Sequence, residues 1–230
     1  MKKIIPSFLT ILNLVCGCLA IALAFQFQFE AVLILVCLGV FFDFLDGLAA
    51  RALDAVTNFG KHLDSITDVI TSGVVPGIIV YQLFKLSGNK VSDFEVYAFG
   101  YDLIFSLSPI SFIGFLITIA SAIRLSKYNT LTRSDEFIGL PTPANAIFFA
   151  SLPVLINSDI LIDSKEIFLN NYFLIGSVIS SVILMNSPFR LFSFKAIFKD
   201  FQSNVYQILL ILISIPILIY FNLGGFAIIV

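Results

Sequence analysis

The sequence predicts an all-α, polytopic integral membrane protein: a single-domain bundle of about seven or eight transmembrane helices over residues 1–230. Three observations carry this reading. Only 12% of the residues are charged and 59% are hydrophobic, whereas soluble domains carry about 25% charged residues. The apolar stretches are long and continuous rather than short and alternating, which favours helices over a membrane barrel. The 26 phenylalanines and the Leu/Ile/Val runs suit side chains bathed in hydrocarbon.

A span needs about 20 apolar residues at roughly 1.5 Å rise each. On that ruler helices fall near 5–25, after Lys2-Lys3, and 29–51, closing on Arg51. The third covers 62–84 and the fourth 103–126, ending beside Arg124 and Lys127. The fifth, 141–157, opens on Pro141-Thr142-Pro143; 168–186 and the Ile/Leu-rich 203–221 complete the set. Leu223 to Val230 is apolar but too short to cross alone, so it is either a re-entrant end or the first half of an eighth span. Residues 86–102 read as an external loop and 127–140 as a polar cytoplasmic segment. The first helix reads as retained, because no clean small-residue cleavage site follows it.

Basic residues orient the bundle. With the N-terminus in the cytoplasm, Lys2, Lys3, Arg51, Lys61, Arg124, Lys127, Arg133, Arg190, Lys195 and Lys199 lie inside, and only Lys85, Lys90 and Lys165 outside. The expected location is a cell (inner) membrane, crossed several times. Cys16, Cys18 and Cys37 fall within spans and read as small buried thiols, with no zinc pattern or disulfide framework. His62 is the lone histidine, which leaves a histidine-rich metal site without ligands.

Against this background, residues 43–68 stand apart: Asp43-x₂-Asp46-Gly47-x₂-Ala50-Arg51-x₈-Gly60-x₃-Asp64-x₃-Asp68. An ionisable residue within a span is costly and marks a functional site by default. At about 100° per residue, Asp43, Asp46, Gly47, Ala50 and Arg51 share an arc of roughly 140° on the second helix. Gly60, Asp64 and Asp68 share a stripe on the third. Two helices joined by a short turn would aim two acid pairs at each other, and a hard divalent ion is the simplest bridge. Gly47, Ala50 and Gly60 keep the face low enough for a backbone or ligand to approach. Arg51 supplies a planar fork that suits phosphate. Asp54 lies in the turn, off the stripe, and reads as a solvated loop residue.

The pattern resembles the motif of the CDP-alcohol phosphotransferases, integral membrane enzymes that join a CDP-linked donor to an alcohol acceptor. The resemblance implies that Asp43, Asp46, Asp64 and Asp68 bind two divalent ions, Mg²⁺ or Mn²⁺, and that Asp68 is the base toward the acceptor hydroxyl. It implies donor contacts from Gly47 and Arg51, with Ala50 and Gly60 on the same CDP-lipid-binding face and Thr57 matching a donor-contacting serine position. Thr10 and Asn13, one turn apart on the first helix, either face the nucleotide or hydrogen-bond between helices.

The remainder resembles the membrane-type phosphatidylserine synthase branch of that family. The carriers are Asn13-Leu14-x-Cys16-Gly17, Ser121-Ala122-x-Arg124-Leu125 to Asn129, Phe137-x-Gly139-Leu140-Pro141-Thr142-Pro143-Ala144, Leu184-Met185-x-Ser187 and Phe192-Ser193-Phe194-Lys195. That implies phosphatidyl transfer from CDP-diacylglycerol to L-serine with release of CMP, in a homodimer among membrane lipids and without a nucleic-acid partner. A serine carboxylate wants a cation, for which Arg124, with Asn129 as polar partner, is the candidate; Arg124 also reads as a topology anchor. Two alternatives remain: transfer to glycerol-3-phosphate or inositol, and, from another class, a cation or proton-coupled transporter.

Overall fold

The structure is a computed structural model that describes residues 4–89, 92–98, 101–130, 139–158, 165–188 and 205–230. Two long helices, α1 (Ile4–Phe25) and α2 (Phe29–Ala52), form an antiparallel pair. A third span of 29 residues, Asn58–Leu86, consists of α3 (Asn58–Val69), a π-helical turn Ile70–Val74 and α4 (Val75–Leu86). A hairpin of β1 (Ser92–Ala98) and β2 (Tyr101–Leu107) follows, then a 3-10 turn and α5 (Phe115–Thr130). The rest is α6 (Thr142–Ile156), the short α7 (Lys165–Phe168), α8 (Asn171–Asn186), α9 (Val205–Phe221) and, after a 3-10 turn, α10 (Phe226–Ile229).

Among the described residues, four helical stretches are long and apolar enough to cross a membrane: Ile4–Phe25, Phe29–Ala52, Asn58–Leu86 and Pro109–Tyr128. α6 and α8 are apolar but only 15 and 16 residues long, about 23 Å at 1.5 Å per residue. The bundle turns its large apolar side chains outward. On α1, Ile4, Ile5, Phe8, Ile11, Val15, Leu19 and Phe25 are exposed while Thr10, Asn13, Gly17, Ala20 and Ala24 are buried. Leaving such side chains in water forgoes about 2 kcal/mol of burial each, a loss that a marginally stable soluble domain does not incur along a whole helix face. In hydrocarbon the penalty vanishes, and small buried residues let backbones pack closely.

Along its length the interior changes character. Val32, Leu33, Val36, Ile79, Val80, Leu83, Phe84, Phe149 and Leu152 form an apolar core. Beyond it the buried residues turn polar: Thr10, Asn13, Asp46, Thr67, Thr71 and Ser72. The polar end contains the π turn. Pro76 has no N–H to offer the preceding turn, and α5 covers the exposed carbonyls: Thr118 Oγ1 donates to Gly73 O (2.9 Å) and Ser121 Oγ to Ser72 O (3.4 Å).

Several expectations need correction. Residues 103–107 are strand, not the start of a helix, and 92–98 pair with them, Ser92 opposite Leu107 and Ala98 opposite Tyr101. Pro109 explains the break: it biases the preceding residue away from helical backbone, and Ser108 is extended at φ −99°, ψ 103°. The third span starts at Asn58 rather than 62, because Thr57 caps it, accepting from Gly60 N at 3.0 Å. The helix expected over 168–186 starts at Asn171, Phe168 being the last residue of the separate α7. Residues 222–229 are a 3-10 turn and a single helical turn against α6, not a span. Of the three thiols, Cys16 is buried and Cys37 half-buried, but Cys18 faces outward.

Three of the described basic residues line cavities at the two ends of the bundle. Pro6, Arg51 and Lys61 line one cavity at one end of the bundle, whereas Lys165 lies with Phe27, Phe29 and Leu86 at the other. Lys2, Lys3, Lys90, Arg133, Arg190, Lys195 and Lys199 lie outside the described residues, as do Phe137 and the stretch Phe192–Lys195.

Candidate metal and phosphate site

The α2–α3 turn sets the site. α2 ends at Ala52, Asp54 adopts φ +50°, a left-handed conformation that aspartate tolerates better than most residues, and Thr57 restarts the helix. Asp54 itself is exposed, off the acid stripe. The short connection folds α3 back toward α2, so that acids 21 to 25 residues apart in sequence meet.

Carboxylate oxygens of Asp43, Asp64 and Asp68 lie within 4.8 Å of one another, and all three residues are half-buried. Two unit charges at that distance repel by about 3 kcal/mol at an effective dielectric of ~20. Among the described residues no lysine or arginine is paired with them, and Asp64 Oδ1 is buried without a hydrogen-bond partner. Oxygens that share one Mg²⁺ lie within about 4.2 Å, twice the usual bond length. Small side-chain rotations therefore suffice for a divalent ion, and an all-oxygen donor set is the one such ions take. The residues fit the group.

Asp46 stands outside this trio. It is buried at the α1 side, where its Oδ2 accepts from Thr10 Oγ1. It lines a cavity of about 180 Å³ together with Pro6, Thr10, Gly47, Ala50, Arg51, Thr57, Gly60, Lys61 and Asp64. A Cβ at Gly47 would meet the Arg51 guanidinium at 3.7 Å, an ordinary contact, so the fork lies directly over the Gly47 backbone on the α2 face. Asp64 belongs to both the trio and the cavity. Carboxylates and guanidinium thus meet in one recess, an arrangement able to hold a cation and the phosphates it neutralises.

The two N-terminal candidates part company. Thr10 lines the cavity; Asn13 does not, and instead bonds Asp68 and Thr71. Arg124 also lies apart from the cavity. It is 7% exposed, donates to Gly139 O at 3.4 Å and stacks 4.9 Å from the Tyr128 ring centroid. The Asn129 side chain lies outside the described set. Gly139 takes φ +71°, and a Cβ there would come within 2.6 Å of Met185 O, so both conformation and space require glycine. Sequence reasoning did not single out Ser7, Ala55, Val56 or Thr71. Continuing the Asp64–Asp68 stripe by three residues reaches Thr71.

Against known protein families, residues 3–183 match the model described as CDP-alcohol phosphatidyltransferase. The chain belongs to the CDP-alcohol phosphatidyltransferase family. Within the family it is 33% identical to a CDP-diacylglycerol–serine O-phosphatidyltransferase of Bacillus subtilis, over 60% of this chain and 69% of that protein. It is 34% identical to the protein of the same description from Methanocaldococcus jannaschii, over 69% and 65% of the two chains. It is also 34% identical to an archaetidylserine synthase of Methanothermobacter thermautotrophicus, over 64% and 56%. The matched part thus spans between 56% and 69% of these relatives. The family match contains every aspartate of the trio, Asp46 and Arg51.

Proposed function

We propose that the chain transfers the phosphatidyl group of a CDP-diacylglycerol to the hydroxyl of L-serine, releasing CMP, at the cytoplasmic face of a cell membrane and as a homodimer. The observation that carries the reading is the double membership of Asp64, which joins the carboxylate trio to the Arg51 cavity. The similarity to relatives described as serine O-phosphatidyltransferases supports the acceptor.

In this reading the acyl chains stay in the bilayer and the headgroup enters the cavity from the side. Arg51 grips the pyrophosphate bidentately, while Gly47, Ala50 and Gly60 leave space for the nucleotide and Thr57 and Thr10 border it. Asp43, Asp64 and Asp68, with Asp46 beside them, hold Mg²⁺ or Mn²⁺. Such ions, when bound, supply Lewis-acid stabilisation of charge on the β-phosphate and on the departing CMP. The serine oxygen forms the new P–O bond, the bond to CMP breaks, and the hydroxyl proton passes to Asp68. Arg124 is assigned to the serine carboxylate; it would have to leave the Gly139 carbonyl to reach it.

The test is incorporation of labelled serine into lipid by the purified chain, supplied with CDP-diacylglycerol and Mg²⁺ or Mn²⁺, with glycerol-3-phosphate and inositol as competitors. Serine incorporation with stoichiometric CMP is the expected result. Labelling from glycerol-3-phosphate or inositol alone would move the activity to another acceptor.

A further inference from the structure

Asn13 is almost completely buried, at 1% exposure, on the inward face of α1, and so is Thr71, at 1%, in the π turn directly after Asp68. Both ends of the Asn13 carboxamide are engaged. Thr71 Oγ1 donates to Asn13 Oδ1 at 2.9 Å, and Asn13 Nδ2 donates to Asp68 Oδ1 at 3.5 Å. The direction of this chain is set by chemistry. A hydroxyl can donate to the amide oxygen, whereas an ionised carboxylate only accepts, so the NH₂ must face Asp68. Reversing the amide would set its oxygen against the carboxylate with no proton between them.

The surroundings are shaped around this pair. A Cβ at Gly39 of α2 would come within 2.8 Å of Asn13 Oδ1 and 2.9 Å of Thr71 Cγ2, and one at Gly17 of α1 within 2.7 Å of Thr71 Oγ1. Three helices therefore close on two polar side chains that hydrogen-bond to each other beside Asp68. Neither residue lines the Arg51 cavity, so whatever they do is done through Asp68. π turns recur beside functional sites, and this one sets the Thr71 hydroxyl against α1.

We infer that Thr71 and Asn13 are positioning residues, a relay that fixes the orientation of the Asp68 carboxylate. One oxygen lies 3.5 Å from Asn13 Nδ2, a contact that biases rotation of the group and with it the placement of the other oxygen relative to Asp43 and Asp64. Asn13 then serves the carboxylate rather than the nucleotide. The inference rests on the phosphatidyl-transfer reading for its kinetic consequence, though not for its effect on cation binding.

Two measurements test it. The first is Mn²⁺ binding to the purified chain without substrate, followed by the electron paramagnetic resonance of free Mn²⁺. Thr71→Val and Asn13→Ala should each weaken Mn²⁺ binding roughly 10-fold, the lower end of what outer-shell partners contribute. The second is the kinetics of transfer: Thr71→Val should lower kcat about 10-fold with the KM for CDP-diacylglycerol within about 2-fold, and Thr71→Ser should restore it. Thr71→Ala reads the same hydroxyl without an added apolar contact, and thermal unfolding in detergent identifies variants that merely fail to fold. Wild-type Mn²⁺ affinity and kcat in folded Thr71→Val and Thr71→Ala would overturn the relay. So would an Asn13→Ala variant that raises only the CDP-diacylglycerol KM, since that is the mark of a nucleotide contact. If the wild type transfers nothing to serine and the two substitutions still weaken Mn²⁺ binding, the acceptor assignment fails and the relay stands.

Discussion

At the residue scale, aspartates of similar sequence context do different work. Asp43 and Asp46 are one turn apart on α2, yet only Asp43 joins the trio, because Thr10 holds Asp46 toward the cavity. Two substitutions separate the proposed roles kinetically. Asp68→Asn keeps the shape but removes the proton acceptor of the proposed mechanism, so turnover should fall by at least ~100-fold with CDP-lipid binding retained. Arg51→Lys exchanges a planar fork for a point charge; loss of one charge-assisted bond worth about 1.5–3 kcal/mol should raise the CDP-lipid KM roughly 10- to 100-fold. Steady-state kinetics with varied CDP-diacylglycerol reads both, and an Arg51→Lys enzyme with unchanged KM would remove the guanidinium from the phosphates. The acid-and-arginine pattern was legible in the sequence because a charge in a span has few purposes. Thr71 was not, because a buried threonine in an apolar helix gives no compositional signal.

At the element scale, close backbone approach decides where polar groups meet. Gly39 faces Asn13 and Thr71 with no room for a methyl group, while nothing lies within 4 Å of a Cβ at Gly176 on α8. Gly39→Ala should therefore destabilise by about 1–3 kcal/mol through overpacking. Gly176→Ala should be neutral or stabilise by up to ~1 kcal/mol through helix propensity. Thermal unfolding in detergent distinguishes them, and equal midpoints would mean α2 can shift away from the pair. The ruler of apolar length located α1, α2, α6 and α8 to within a few residues. It misread 103–107, where a short apolar run is helix or strand by composition alone, and only the Pro109 break and pairing with 92–98 make it strand.

For the whole molecule, the outward apolar side chains suit a lipid solvent, and the helices are held to one another by their own packing. The apolar core of α2, α4 and α6 lies apart from the carboxylates. Chelation with EDTA should abolish transfer while leaving far-UV circular dichroism unchanged, and Mg²⁺ or Mn²⁺ should restore it. Loss of helicity on chelation would show instead that the cation is structural. Family membership rests on residues 3–183, so α9 and α10 lie beyond the matched part, and the packing of α10 and the 3-10 turn before it against α6 was open until the tertiary structure showed it.

Read alone, the sequence established a lipid-suited composition, the family, and the spacing of the acids and Arg51. Hydrophobic length and the spacing of aspartates, glycines and Arg51 are local properties, written along one or two helices. Which acids share an ion-sized space, which of them also borders the Arg51 cavity, and that Asn13 of α1 reaches Asp68 of α3 came only from the tertiary structure. Those outcomes depend on how three helices approach one another, and that is set by a turn, a π bulge and bare glycine backbones acting across the bundle.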